Sequence, residues 1–353
     1  MIDLNDVKAI RIIDAHDMLG HVANLPQQLI DAWAAAEAID LPGMFREVDR
    51  VVLAGMGGLA GGGALFAALV APECQLPISV VRDYELPAYA HGARTLVIAT
   101  SYSGDTEETL AAFEQAQVRG CQSLVLASNG QLLERAKKQA VPFMRIDYQS
   151  PSRAALGWSL ASLLNIASQL GWTHHFEDDL EEAARVTREW TAELNAESPV
   201  NRNLAKREAG QLMGRMVYVF GAGVLAEVAR RWHAQIAVNA RTWAASEALP
   251  EANHHTLAGL EWPDGFSSKV MALFLSSQAD HPRNAQRVQL SRQAFMMAGC
   301  NTDMITARGA SPLAQMMSLI LLGDFMSVYL ALLNDVDPAQ IGAGAEFKAA
   351  LAG

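Results

Sequence analysis

Short apolar runs recur along this chain, each ending in glycine or hydroxyl residues and followed by a stretch whose apolar positions fall at helical spacing. The run Arg50-Val-Val-Leu-Ala-Gly-Met-Gly-Gly predicts a strand closing on a glycine turn, and the alanine- and leucine-rich residues 60–70 predict a buried helix. Further strands are predicted at 78–82, 95–100, 123–127 and 141–146, with helices over 105–119, 131–139 and 153–170. Ahead of them, Ile12, Ile13, Met18, Leu19, Val22, Leu25, Leu29, Ile30 and Trp33 mark a helical segment, broken near Pro26 and ended by Leu41-Pro42-Gly43.

Residues 177–197 are acidic and helical, and read as a connecting helix. The alternation then restarts: a strand at 215–223, a helix over 224–238, a strand at 270–275, a helix over 283–297, a strand at 303–306 and a helix over 312–333. The second half echoes the first directly, VYVFGAG answering VVLAGMGG. The predicted fold class is α/β: two tandem doubly wound domains with parallel sheets flanked by helices, plus an N-terminal helical segment. The expected boundaries are 1–45 for that segment, 46–172 for the first domain, 173–200 for the connecting helix, 201–335 for the second domain and 336–353 for the tail. Ligands are expected at the carboxyl ends of the strands.

With 353 residues, 51% hydrophobic and 18% charged, the chain can bury a large core and is not disordered. Its 27 basic against 38 acidic residues give a formal charge of −11, and no basic run offers a footprint for a phosphate backbone, so no nucleic acid partner is expected. Cys74, Cys121 and Cys300 fit no disulfide framework or zinc spacing, which predicts a reducing, cytoplasmic setting; the N-terminus lacks the apolar core of a signal peptide. The uncharged stretches 51–72 and 154–176 are long enough to cross a membrane. The first holds glycines at its centre and the second several polar side chains, so both read as buried elements and no membrane partner is expected.

The glycine turns at Gly55–Gly58 and Gly221–Gly223 could let amides approach a phosphate. GAGVLA fits G-x-G-x-x-A, but the acidic residue expected about twenty positions on is missing from a strand end, since Glu247 is read as following a helix. Tight turns packing helix on sheet are the favoured reading. Thr100-Ser-Tyr-Ser-Gly-Asp-Thr-Glu-Glu-Thr is more informative: a buried strand ends in hydroxyls and a glycine, then a helix begins. Ser101, Ser103 and Thr106 with the loop amides make an anion cradle suited to a phosphomonoester without a metal; the competing reading is a plain helix cap on Asp105 or Thr106. Arg153, at the start of a long apolar helix where a cation opposes the helix dipole, is read as serving a ligand. The adjacent pairs His174-His175 and His254-His255 point apart and lack a completing ligand, so no metal site is expected. The methionine clusters read as core filler.

SYSGDTEET resembles the phosphate-binding loop of sugar isomerase (SIS) domains. Three further segments narrow the resemblance to the bifunctional phosphoglucose/phosphomannose isomerase family: GMGG at 55–58, SPSRAAL at 150–156 and EALPEANHH at 247–255. The resemblance covers the chain from about residue 45 to its end. It implies substrate contacts from Gly57 and Gly58, and a phosphate held by Ser101, Ser103 and Thr106. It further implies an enediolate stabilised by Arg153, ring opening assisted by His254 from a partner subunit, and Lys348 near the sugar. A homodimer interconverting glucose 6-phosphate and mannose 6-phosphate with fructose 6-phosphate, without cofactor or metal, follows as the expectation.

Three departures stand beside these matches. Val238 occupies the position of the family's catalytic glutamate, Leu59 replaces a serine and Ile341 a threonine. An isomerase needs a base within reach of the carbon acid, and valine offers none. Either another carboxylate serves, Glu251 and Glu247 being nearest in sequence, or the chain binds sugar phosphate without isomerising it efficiently.

Overall fold

Val51, Val52, Leu53 and Ala54 are all buried, as a strand must be when helices cover both faces of its sheet. In the computed structural model this run opens a five-stranded parallel sheet. The structure describes residues 2–351, the side chains of Ala345, Lys348 and Ala349 excepted.

Three helices precede the sheet: α1 (Val7–Ile13), α2 (Met18–Ala23) and α3 (Leu25–Glu37). Asp6 caps α1 by accepting from the Lys8 and Ala9 amides, and Pro26 sits in the first turn of α3, where a missing N–H costs nothing. The alternation follows as β1 (Arg50–Gly55), α4 (Gly57–Val70), β2 (Ile78–Val81), β3 (Thr95–Ser101), α5 (Glu107–Val118), β4 (Gln122–Ala127), α6 (Gly130–Lys138), β5 (Phe143–Arg145) and α7 (Leu156–Leu170). Strand order is β2-β1-β3-β4-β5, every neighbouring pair parallel.

Helices α5 and α6 bury Leu110, Phe113, Leu132 and Leu133 against Ala99, Val125 and Ala127. Helix α4 lies on the opposite face, Gly63 meeting Leu53, with α7 packed on α4 and α3 on α7. The helices after β1 and β3 therefore leave the sheet on opposite sides, which opens a crevice between the carboxyl ends of those two strands.

After the acidic α8 (Glu177–Leu194) come α9 (Leu204–Leu212), β6 (Met216–Ala222), α10 (Val224–Ala240), β7 (Ala244–Leu249), β8 (Val270–Ser276), α11 (Pro282–Met297), β9 (Asn301–Thr306), α12 (Pro312–Leu333) and α13 (Ala343–Leu351). This sheet is also parallel, in the order β7-β6-β8-β9. Phe295 of α11 packs edge-on to Phe220 and Phe274 at 5.1 and 5.6 Å. Helices α9 and α10 pack on α12, which is long and apolar enough to cross a membrane yet has its residues 313–332 buried within the protein. Its one carboxylate, Asp324, is held by Arg231 through contacts of 2.5 and 3.1 Å and by Gln235 at 3.1 Å, so the charge enters the core already paired.

The chain divides into two compact units, Leu25–Ala184 and Met1–Asn24 with Arg185–Gly353. The N-terminal helices are thus shared out at Asn24, with α2 packing on α12 of the later unit. One strand, β7, is absent from the sequence prediction. Its residues Ala-Ala-Ser-Glu-Ala-Leu carry no β-branched or alternating signal, and pairing with β6 from Val217↔Ala244 to Ala222↔Leu249 overrides their helical preference.

Candidate active site

The carboxyl ends of β1, β3 and β4 converge in the first unit. Gly55 and Thr100 lie side by side in the β1–β3 register, and a Cβ at Gly55 would fall 2.4 Å from the Thr100 hydroxyl. Only glycine lets the strand ends close to this spacing. Gly57 then takes φ +57 at the head of α4, a left-handed conformation that other residues adopt at a cost. Gly58 packs on the turn that carries Arg153: its Cβ would lie 2.9 Å from the Arg153 Cα and 3.0 Å from the Ser152 carbonyl. The glycine pair and Arg153, 95 positions apart in sequence (153 minus 58), are thereby joined through backbone contact. Arg153 is half-buried in a single 3-10 turn, Ser152–Ala154, just ahead of α7.

The hydroxyl loop between β3 and α5 folds on itself. Ser101 is buried, and its hydroxyl bonds that of Thr106 at 2.8 Å and accepts the Gly104 amide at 3.1 Å; the exposed Ser103 hydroxyl accepts the Asp105 amide at 3.2 Å. Thr106 is the residue before α5, yet its side chain makes no capping bond, and Asp105 accepts the Gln131 amide instead. The capping reading of this segment is therefore not what the structure builds. The start of α5 thus carries no side-chain cap, and the Ser101, Ser103 and Thr106 hydroxyls lie in the loop that leads into it.

A second layer that the sequence did not disclose holds the loop in place. Gly104, at φ +74, and Gly130, at φ +76, pack so tightly that a Cβ on Gly104 would overlap the Asn129 carbonyl at 1.8 Å. Tyr102 donates its hydroxyl to the Tyr148 carbonyl at 2.5 Å and accepts the Ser150 amide at 2.8 Å, tying the cradle to the segment that leads into Arg153. Ser128 donates to the Tyr102 carbonyl. Neither tyrosine nor asparagine has a local signal that marks these roles, because each partner is distant in sequence.

In the later unit, the 3-10 turn Glu251–His254 follows β7. Asn253 anchors it, donating to Ser291 at 2.6 Å and accepting from Arg287 at 3.0 Å, which leaves Glu251 and His254 exposed. Lys348 falls within α13, its side chain outside the described residues. Val238 faces outward on α10 at 37% exposure, Leu59 is buried in α4 and Ile341 is exposed. Glu247, read from sequence as following a helix, instead lies on β7 opposite Phe220, near the GAG turn. Its carboxylate turns away from that turn, accepting the hydroxyls of Tyr218 and Thr256, so the nucleotide fingerprint stays incomplete. Among the described residues, no group of three His, Cys, Asp or Glu is placed to hold a metal. His174 instead bridges Glu73 and Asp179 at 2.8 Å each, and His255 contacts Thr256 at 2.9 Å.

Residues 201–351 match the family model for the bacterial phospho-glucose isomerase C-terminal SIS domain. The chain is 35% identical over 325 residues, 92% of its length, to the bifunctional phosphoglucose/phosphomannose isomerase of Caldicellulosiruptor bescii, 96% of which is covered. It belongs to the bifunctional phosphoglucose/phosphomannose isomerase family. Among solved structures it is similar in fold to tagatose-6-phosphate ketose/aldose isomerase from Escherichia coli, with a TM-score of 0.73, 16% identity and coverage of 93% of this chain and 96% of the other. It also resembles a glucose-6-phosphate isomerase like protein from Thermus thermophilus, with a TM-score of 0.63, 20% identity and coverage of 97% and 99%. Family membership makes the departure at Val238 chemically pointed, since valine has no group that can act as a base.

Proposed function

We propose that this chain is an aldose–ketose isomerase of sugar phosphates. It interconverts glucose 6-phosphate and mannose 6-phosphate with fructose 6-phosphate, as a cytoplasmic homodimer of tandem SIS domains in which His254 of one protomer serves the site of the other. The observation that carries this reading is the uncapped start of α5 after the loop of Ser101, Ser103 and Thr106, together with the close backbone approach of Arg153 to Gly58.

A phosphate dianion takes hydroxyl and amide donors at that helix start, where the dipole favours negative charge. Holding the phosphate end fixes the reacting carbons relative to Arg153. A base takes the proton from C2 of the open-chain aldose, and the electron pair moves into a C1–C2 double bond with negative charge on O1, which Arg153 stabilises. The hydroxyl proton then passes from O2 to O1, and the base returns its proton to C1, giving the ketose. His254 assists ring opening, and Lys348 lies near the sugar. Glu251, exposed on the same turn as His254, is the carboxylate assigned as base in place of Val238. Glu247 is a poorer candidate, since two hydroxyls occupy its carboxylate.

The test is a coupled assay of fructose 6-phosphate conversion to glucose 6-phosphate, run beside Arg153→Ala to exclude contaminating isomerase. Turnover lost in the variant supports the reading; undiminished turnover in an Arg153→Ala, His254→Ala double variant refutes the assigned roles. Mixing the two single variants tests the shared site. A trans histidine restores one intact site per mixed dimer, about a quarter of wild-type activity at equal mixing, and a cis histidine restores none.

A further inference from the structure

The face of the second sheet that carries α11 holds a cavity of about 330 Å³ at the end of the sheet opposite the strand termini where substrates bind. Tyr218, the third residue of β6, and Glu247 of β7 form its floor; Trp262 and Phe266 form its outer wall, and Phe295 of α11 its back. Val270, the first residue of β8, and Cys300, just ahead of β9, place it at the amino-terminal side of the strands.

The lining is mainly aromatic and apolar; its polar groups are the Glu247 carboxylate and the hydroxyls of Tyr218, Thr256 and Ser267, and the His255 imidazole lies 3.8 Å from one Glu247 oxygen. Glu247 accepts a hydroxyl from Tyr218 on one oxygen and from Thr256 on the other, which orients the group and leaves each oxygen a free lone pair. Its side chain keeps 26% exposure. Burial pushes both the Tyr218 phenol and the Cys300 thiol upward, so neither adds negative charge at neutral pH. An anion such as a sugar phosphate would meet the carboxylate and be repelled. A flat cation would gain a charge-assisted bond from Glu247 and aromatic faces from Tyr218, Trp262 and Phe266.

We propose that this cavity is a second ligand site, separate from the phosphate cradle, for a small aromatic primary amine. Its size is at the lower end of small-molecule sites, and a few oriented polar groups in an apolar lining are their usual composition. The site stands independently of the isomerase reading.

The experiment titrates the full chain with tryptamine by calorimetry, beside indole-3-propionate, which keeps the ring and reverses the charge. The expected result is saturable tryptamine binding, weakened at least about tenfold by Glu247→Gln. Indole-3-propionate should bind the wild type more weakly than tryptamine does. Phe266→Ala, which leaves the Glu247 hydroxyl pair in place, should weaken tryptamine as well, so the proposal does not hang on one variant's folding. Tryptamine should also slow alkylation of Cys300 by N-ethylmaleimide, read by peptide mass spectrometry against Cys74. The proposal is overturned by no saturable binding at millimolar tryptamine, by equal affinity for the two indoles, or by no loss in either variant. It is also overturned if Cys300 is protected without amine and becomes reactive on dilution, which would mean that a second copy of the chain covers the cavity.

Discussion

The two sheets place a loop at the same point of their topology, after the strand that neighbours the glycine turn, and use it in opposite ways. In the first, the Ser101 and Thr106 hydroxyls bond each other, Ser101 and Ser103 accept the Gly104 and Asp105 amides, and α5 begins without a side-chain cap. In the second, after β8, Ser277 donates its hydroxyl to Gln315 at 2.5 Å and its amide to Asp280 at 2.9 Å, while the His281 side chain caps α11 and Pro282 fills its first position. The amides of Gln278, Ala279, Asp280 and Arg283 are likewise spent within the fold, and Pro282 has none to offer. In the proposed reading, what suits one doubly wound loop to a phosphate is therefore less its glycine turn than a helix start left without a side-chain cap.

The largest effect is expected at Arg153, for which the second sheet has no counterpart in the proposed mechanism. Arg153→Ala should lower kcat/KM for fructose 6-phosphate by about 10²- to 10³-fold, as loss of one transition-state charge partner typically does. In a steady-state assay, a fall confined to KM would assign Arg153 to ground-state binding instead.

Val238→Glu should move activity the other way. Returning a carboxylate to the outward face of α10 is expected to raise kcat by about tenfold or more if the substitute base is poorly placed, within the range of general-base effects. An unchanged kcat would mean that Glu251 already does the work, and Glu251→Gln in the same assay should then abolish turnover.

Backbone closeness around the cradle gives the next effect. Gly104→Ala puts a Cβ onto the Asn129 carbonyl at a φ of +74, so it should cost about 1–3 kcal/mol in chemical denaturation and raise KM as the loop shifts. A substitution at Gly259, where a Cβ meets open space, should cost far less.

The smallest expected effect is in stability against pH. Burial and the neighbouring Asp303 carboxylate raise Glu208 from 4.5 to about 7. The folded chain then keeps a proton that the unfolded chain releases, so this group's stabilising contribution is complete below pH 4.5 and is lost as pH rises to about 7. Glu208→Gln should flatten the unfolding midpoint across that window and raise it above pH 7; an unaltered pH profile would remove Glu208 from the account.

Most strands and helices were legible because buried parallel strands are β-branched runs punctuated by glycine, and the helix over 312–333 coincides with the observed α12. β7 was not, because Ala244–Leu249 becomes a strand through its partner β6 rather than through its own residues. The same division holds at the site. Ser101, Ser103, Thr106 and the glycine turn sit within short motifs, so their chemistry shows locally. Tyr102, which ties the cradle to Tyr148 and Ser150, and Asn129, against which Gly104 is fitted, act across folds of the chain that only the packed sheet brings together. Glu247 shows the converse: its place near the GAG turn suits a nucleotide, and its hydroxyl partners draw it elsewhere.

The central claim is tested most directly by calorimetric titration of fructose 6-phosphate into the wild type, a Ser101→Ala, Thr106→Val double variant and Ser277→Ala. Binding weakened at least about tenfold in the double variant and unchanged in Ser277→Ala is the predicted result, given that each hydroxyl lost to a phosphate removes a charge-assisted bond. Equal affinity in all three, or a loss confined to Ser277→Ala, would contradict it.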